Sequence, residues 1–226
     1  MSKNCNTIHQ WFNGMKKFTF PFDKQEIPEN GIYILFEQGE FAHSTNRIVR
    51  IGTHTGRNQL HSRLFQHFLK ENKDRSIFRK NIGRALLNKS NDPFLEKWEL
   101  DLTTKNAKDQ HSGSVDSEKQ KEIEKRVTKC IQDNFSFVVF PIDEKDKRLE
   151  LESNIISTVS LCKECKPSEN WLGKFCPNEK LQNKKTHANC LKLSESGLWN
   201  VHYLFKENLL LSAEDMIELK QLLNID

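Results

Sequence analysis

Gly31-Ile32-Tyr33-Ile34-Leu35-Phe36, Arg47-Ile48-Val49-Arg50-Ile51-Gly52 and Leu60-His61-Ser62-Arg63-Leu64-Phe65-Gln66-His67 form the stretch from which the rest of the chain is read. The first two runs are β-branched and aromatic. A polar loop containing Gly39 separates them, which predicts the two strands of a hairpin. After Gly52 the apolar period changes. Leu60, Leu64 and Phe68 fall at i, i+4 and i+8, one stripe of a helix. A register with Tyr33 opposite Arg50 sets Ile34 against Val49, Ile32 against Ile51 and Leu35 against Ile48, so each apolar residue meets an apolar partner. The same register puts a phenol beside a guanidinium. Arg63 and His67, four apart, share a helical ridge at the border of the apolar stripe. Tyr33, Arg50, Arg63 and His67 are therefore expected to converge where helix packs on sheet.

These residues resemble the GIY-YIG nuclease superfamily. The first motif is literal at Gly31-Ile32-Tyr33, and Arg50-Ile51-Gly52 stands where Tyr-Ile-Gly is expected. Arg63 matches the helix arginine of the family, and His67 matches a histidine of its restriction-enzyme branch. Further segments, from Phe36-Glu37 through Asn170-Trp171-Leu172-Gly173 to Ser196-Gly197-Leu198-Trp199-Asn200, resemble one bacterial branch. The resemblance implies an α/β (α+β) fold with a small, largely antiparallel three-stranded sheet flanked by helices. It also implies DNA as substrate and a divalent cation as cofactor.

The 226 residues, 36% hydrophobic and 29% charged with net charge +4, describe one domain of polar character with a sizeable core. That domain is expected to span 1–226, with a core of about 31–173, a polar insert of about 101–122 and an extension over 174–226. No apolar run approaches the ~20 residues that cross a bilayer, and the N-terminus lacks the apolar stretch of a signal peptide. The expected compartment is the cytoplasm, where six cysteines read as free thiols or metal ligands.

Residues 1–30 read as a short helix around Trp11 and Phe12, then an extended aromatic piece, Phe18 to Phe22, covering a sheet face or edge. Asn58 is the expected cap of the helix that carries Arg63. His54 is either a site residue or a solvated loop histidine. A second helix spans 75–89 with Phe78, Ile82, Ala85 and Leu86 inward. Its cations Arg75, Arg79, Lys80 and Arg84, with no acid between 75 and 91, form either a DNA phosphate-contacting face or a solvated one. The 101–122 insert, with Ser-Gly-Ser at 112–114, reads as loop. A helix resumes near Ser117, and a third strand runs over Phe135 to Phe140. Residues 197–203 read as extended, and Ser212 to Asp215 as a capping box before a terminal helix.

In the helix predicted over 143–160, Glu152 falls within the stripe of Leu149, Ile155, Ile156 and Val159, while Glu150 points away. A carboxylate on an apolar face is costly unless it is paired or metal-bound. Glu152 is therefore a metal ligand or the partner of a base such as Arg63. The resemblance assigns it the single metal-binding glutamate, with Mg2+ or Mn2+ as the ion, and matches Asn170 to a supporting asparagine. A turn-capping role for Asn170 is the alternative. Cys162-Lys-Glu-Cys165, followed by Cys176, His187 and Cys190, offers a competing zinc site, weighed against incidental thiols.

In this reading Glu152 holds the ion, Arg63 the scissile phosphate, and Tyr33 is the general base with Arg50 favouring its phenolate. His54 or His67 orients water or phosphate. The expected activity is a metal-dependent endodeoxyribonuclease, of restriction or genome-defence type. A silent DNA-binding descendant and a zinc-stabilised interaction module are the rivals. Double-strand cutting would favour a homodimer.

Overall fold

The structure, a computed structural model, describes residues 2–111, 113–177 and 184–225. The chain opens with helix α1 (Ser2–Gly14) and a two-residue strand β1 (Phe18–Thr19). The hairpin follows as β2 (Gly31–Ala42) and β3 (Thr45–Gly52), then helices α2 (Leu60–Phe68), α3 (Ile77–Lys89), α4 (Leu95–Trp98), α5 (Lys105–His111) and α6 (Ser117–Asn134). Strand β4 (Phe135–Pro141) leads into α7 (Lys145–Ser160), and α8 (Lys184–Ser196) and α9 (Ala213–Leu222) close the chain. All strand neighbours are antiparallel, in the order β1-β4-β2-β3.

The sheet thus has four strands rather than the expected three. Phe18 pairs with Phe137 and stacks on its ring at 5.4 Å. The pairing ends before Pro21, which has no N–H to donate to a ladder. The aromatic piece therefore finishes the edge beside β4.

The hairpin register differs from the expected one by two residues. Tyr33 faces Gly52, Ile34 faces Ile51 and Leu35 faces Arg50, while Phe36 faces Ile48. Val49 is left over as a bulge. A shift of two keeps every side chain on its face, so Tyr33 and Arg50 remain neighbours, now on a diagonal. The turn is His43-Ser44, both at positive φ, and Gly39 (φ 84) lies inside β2 rather than in the loop.

Helices cover both faces of the sheet. Tyr33, Leu35 and Val49 pack with Leu60, Leu64, Phe78, Ile82, Val127 and Ile131 from α2, α3 and α6. Ile32, Ile34, Phe36 and Ile48 pack with Ile8 and Phe12 of α1 and with Leu151, Ile155 and Val159 of α7. Burial on both faces is why the strands read as continuous apolar runs rather than alternating ones.

Two further expectations need correction. The insert over 101–122 is not wholly loop: Thr104 Oγ1 accepts the Ala107 N–H at 3.1 Å and starts α5. Ser112 lies outside the described residues. Asn58 does not cap α2. It sits at φ 56, and Asn30 grips both its N–H and its side-chain oxygen. The capping box does form, with Ser212 and Asp215 bonded reciprocally at the start of α9. The segment after Gly197 runs along the free edge of β3. The Trp199 N–H donates to Val49 O at 2.7 Å, and the Asn200 amide both accepts from Ile51 N and donates to Ile51 O.

Candidate active site

The hairpin, α2 and α7 meet at a cleft of about 310 Å³. Thr53 and His54 line it from the end of β3, Ser62, Arg63 and Gln66 from α2, and Leu149 and Glu152 from α7. The stripe Leu60, Leu64 and Phe68 turns α2 inward, which leaves Arg63 half-buried at the rim. In α7, Leu151, Ile155 and Ile156 fix the helix against the sheet and carry Glu152 to the cleft, while Glu150 is exposed as its spacing requires.

Glu152 Oε1 accepts the Thr53 N–H at 3.1 Å. Its other oxygen has no hydrogen-bond partner among the described residues. Burial pushes the Glu152 carboxyl above the usual range, while Arg50, the Thr53 N–H and Arg63 pull it back. A half-buried carboxylate with a spare oxygen facing a polar cleft suits a hard, oxygen-preferring divalent ion that keeps its waters. The residues fit magnesium or manganese.

Behind the cleft, Tyr33 is fully buried, its hydroxyl 2.8 Å from His67 Nε2 and 3.4 Å from Arg50 Nε. Burial, with Arg63, Arg50 and Arg79 nearby, pushes the His67 imidazole well below its ordinary pKa, so the ring is neutral. Nδ1 of the ring lies 2.8 Å from Ser76 Oγ, and with the proton on Nδ1 the free Nε2 accepts from the Tyr33 hydroxyl. The same Ser76 caps α3 by accepting the Arg79 N–H. Phenol, imidazole and hydroxyl form one chain.

Arg50 donates to Trp199 O at 2.7 Å as well as to Tyr33. Among the described residues Arg63 reaches only Gln66 Oε1 and Arg75 O, at 3.3 and 3.4 Å. Neither guanidinium pairs with a carboxylate among the described residues. Gly52 lies directly over the phenol, since a Cβ there would stand 2.1 Å from the Tyr33 hydroxyl.

The structure thus brings together Tyr33, Arg50, Arg63, His67 and Glu152. His54 lines the cleft, but its nitrogens are taken by Gly31 N–H and Gly56 O, and it clips the 53–59 loop to β2. Asn170 is exposed and outside the cleft lining, because it precedes the buried Trp171 that anchors that segment. The expected phosphate-contacting face of α3 does not hold for three of its four cations. Arg79 is buried against Glu124 at 2.7 Å, Arg84 is buried and forks onto Glu99, and Lys80 meets Asp74. Their acids lie outside the 75–91 window, at 74, 99 and 124. Arg75 alone is exposed.

The expected zinc set also divides. Cys176 and Cys190 meet each other at 2.9 Å within the α2–α3–α6 core, while Cys162 and Cys165 lie on the opposite face of the sheet. The side chain of His187 lies outside the described residues. Residues not foreseen are Ser76, whose place before an apolar period marks an N-cap, and Thr53, which acts through its backbone and leaves no signal in sequence.

A β-hairpin and helix that bring a phenol and two arginines up to one helix-borne carboxylate make the framework of a nuclease-type domain. The comparison with known families agrees: the GIY-YIG domain profile matches residues 3–220, and the chain belongs to that family. No curated protein and no solved structure matches the chain.

Proposed function

We propose that this protein is a divalent-metal-dependent endonuclease that hydrolyses DNA phosphodiester bonds. The observation that carries the reading is that Arg63, without a carboxylate partner among the described residues, faces across one cleft a Glu152 oxygen that has no hydrogen-bond partner among them. One holds a phosphate, the other a cation. Glu152 would hold the cation, which would supply charge neutralisation at the scissile phosphate and leaving oxygen. Arg63 orients the phosphate through its planar fork. Tyr33 is the general base: as the phenolate, its own proton lost to solvent, it takes a proton from the attacking water. Arg50 stabilises that phenolate, and His67, braced by Ser76, holds the Tyr33 oxygen in place. For Tyr33 to reach water, the cleft must widen past Gly52. A restriction or genome-defence role rests on the resemblance to that branch alone.

Duplex DNA is incubated with wild type and Glu152→Gln, with Mg2+, Mn2+ or EDTA. Wild type should cut with either metal and not in EDTA, and the variant should fall by about 10²-fold or more. Intact DNA with wild type under both metals removes the enzyme reading. Cleavage should also rise with pH as Glu152 loses its proton, because the ion needs the carboxylate.

A second reading has its own observation. Tyr33 has no exposed surface, and Arg50 replaces the second motif tyrosine. A DNA-binding descendant without catalysis would retain DNA in a gel shift that Arg63→Ala weakens, yet never cut it.

A further inference from the structure

We propose that Cys5, His43, Cys162 and Cys165 form a structural zinc site that staples α1 and the β2–β3 turn to the end of α7. The four come from three separate parts of the chain. Cys5 Sγ stands 3.3 Å from Cys165 Sγ. His43 Nε2 lies 3.3 Å from Cys165 Sγ and 3.5 Å from Cys162 Sγ. Cys162 also interacts with both other thiols. Zinc–sulfur and zinc–nitrogen bond lengths put tetrahedral ligand atoms roughly 3.5–3.8 Å apart, close to this spacing. Three sulfurs and one imidazole are a soft donor set, unlike the hard oxygen of Glu152, so the two sites select different metals.

Two features of the surroundings point the same way. His43 Nδ1 lies 3.4 Å from the Glu164 carboxylate, between the two cysteines of the knuckle. An outer carboxylate on the far nitrogen fixes a ligating histidine with Nε2 free for metal. His43 also occupies the first place of a two-residue turn, at φ 50, where Asn or Gly is the usual choice. The strained backbone aims its ring into the thiols.

His9 lies beside the cluster, with its ligand atom within 4.8 Å of those of Cys5, His43 and Cys165. Its nitrogens are otherwise engaged. Nδ1 is 2.8 Å from Cys5 O, and Nε2 accepts the Ile48 N–H at 3.2 Å. His9 therefore braces the site from outside, and Cys162 completes the four. Binding releases the three thiol protons, so each Zn–S bond forms as an S–H bond breaks.

The test begins with wild-type protein grown in zinc-supplemented medium without chelator. Metal analysis should find about one zinc per chain. Thiol titration should find three more thiols reactive after a chelator is added than before, with the core thiols Cys176 and Cys190 shielded by burial in both states. After reloading with Co2+, absorption should show a tetrahedral site with thiolate charge transfer. Cys162→Ser should weaken that band by about a third. His9→Gln should leave the stoichiometry unchanged, and Glu152→Gln should bind zinc as wild type does. Absence of zinc, equal thiol reactivity with and without it, or a Cys5–Cys165 disulfide in its place would overturn the proposal. Full Co2+ charge transfer in Cys162→Ser would overturn the ligand set. All these readouts are independent of DNA cleavage.

Discussion

Arg50 stands where the family's second tyrosine is expected, and the cost of that change is decided by its contacts. Its Nε faces the Tyr33 hydroxyl and its NH1 is held by Trp199 O. A fixed cation beside a phenol lowers the free energy of the phenolate. Arg50→Ala should therefore reduce cleavage by about 10²–10³-fold. Arg50→Lys, which keeps the charge but loses the fork, should fall between. Unchanged cleavage in Arg50→Ala would separate Arg50 from the base. Glu37 is a second single-residue case. Its carboxylate accepts from both Trp171 and Trp199, and burial raises its pKa from 4.5 to about 7. The folded state then binds a proton that the unfolded chain has released, so stability falls as pH rises from 4.5 to 7. Glu37→Gln should flatten that fall, worth up to about 3 kcal/mol, in unfolding curves taken across the window.

At the scale of elements, α3 and α7 show what periodicity can and cannot reveal. Glu152 was legible because α7 has to bury one stripe, and an acid within it contradicts the pattern. Helix α3 was legible as a helix, and Phe78, Ile82 and Ala85 as its inner face, but not the fate of its cations. Arg79 and Arg84 look like a surface cluster in sequence because Glu124 and Glu99 are supplied by other elements. Tertiary pairing of this kind leaves no local trace. The hairpin faces were readable for a related reason: a two-residue slip preserves them, whereas the bulge at Val49 has no signature of its own. The grouping of Cys5 and His43 with Cys162 and Cys165 in the proposed zinc site was invisible because no spacing rule links residues more than thirty apart. The distinction within α3 is measurable. Arg79→Ala leaves Glu124 buried and unpaired, and should lower stability by about 3–5 kcal/mol while leaving the salt dependence of DNA binding unchanged. Arg63→Ala should do the opposite, barely altering stability and reducing the salt slope by roughly one.

For the molecule as a whole, the free edge of β3 is the place where the fold and the site depend on a distant part of the chain. Strand β3 has β2 on one side, and its other side would present unpaired N–H and C=O groups. The 197–200 segment covers them, and that same segment supplies the carbonyl that holds Arg50 and the indole that meets Glu37. Arg47 joins in, paired with Glu40, bonded to Gly197 O and lying over the Trp171 ring. Coverage of an edge and placement of Arg50 are thus one event. Asn200→Ala removes both side-chain bonds to Ile51 and leaves a buried N–H and C=O without them, at a cost of about 1–3 kcal/mol. If the segment does no more than shield the edge, activity per folded molecule stays constant as stability falls. If it also sets Arg50, the variant loses cleavage rate at temperatures where it is fully folded. The shared contact at Trp199 predicts the second outcome.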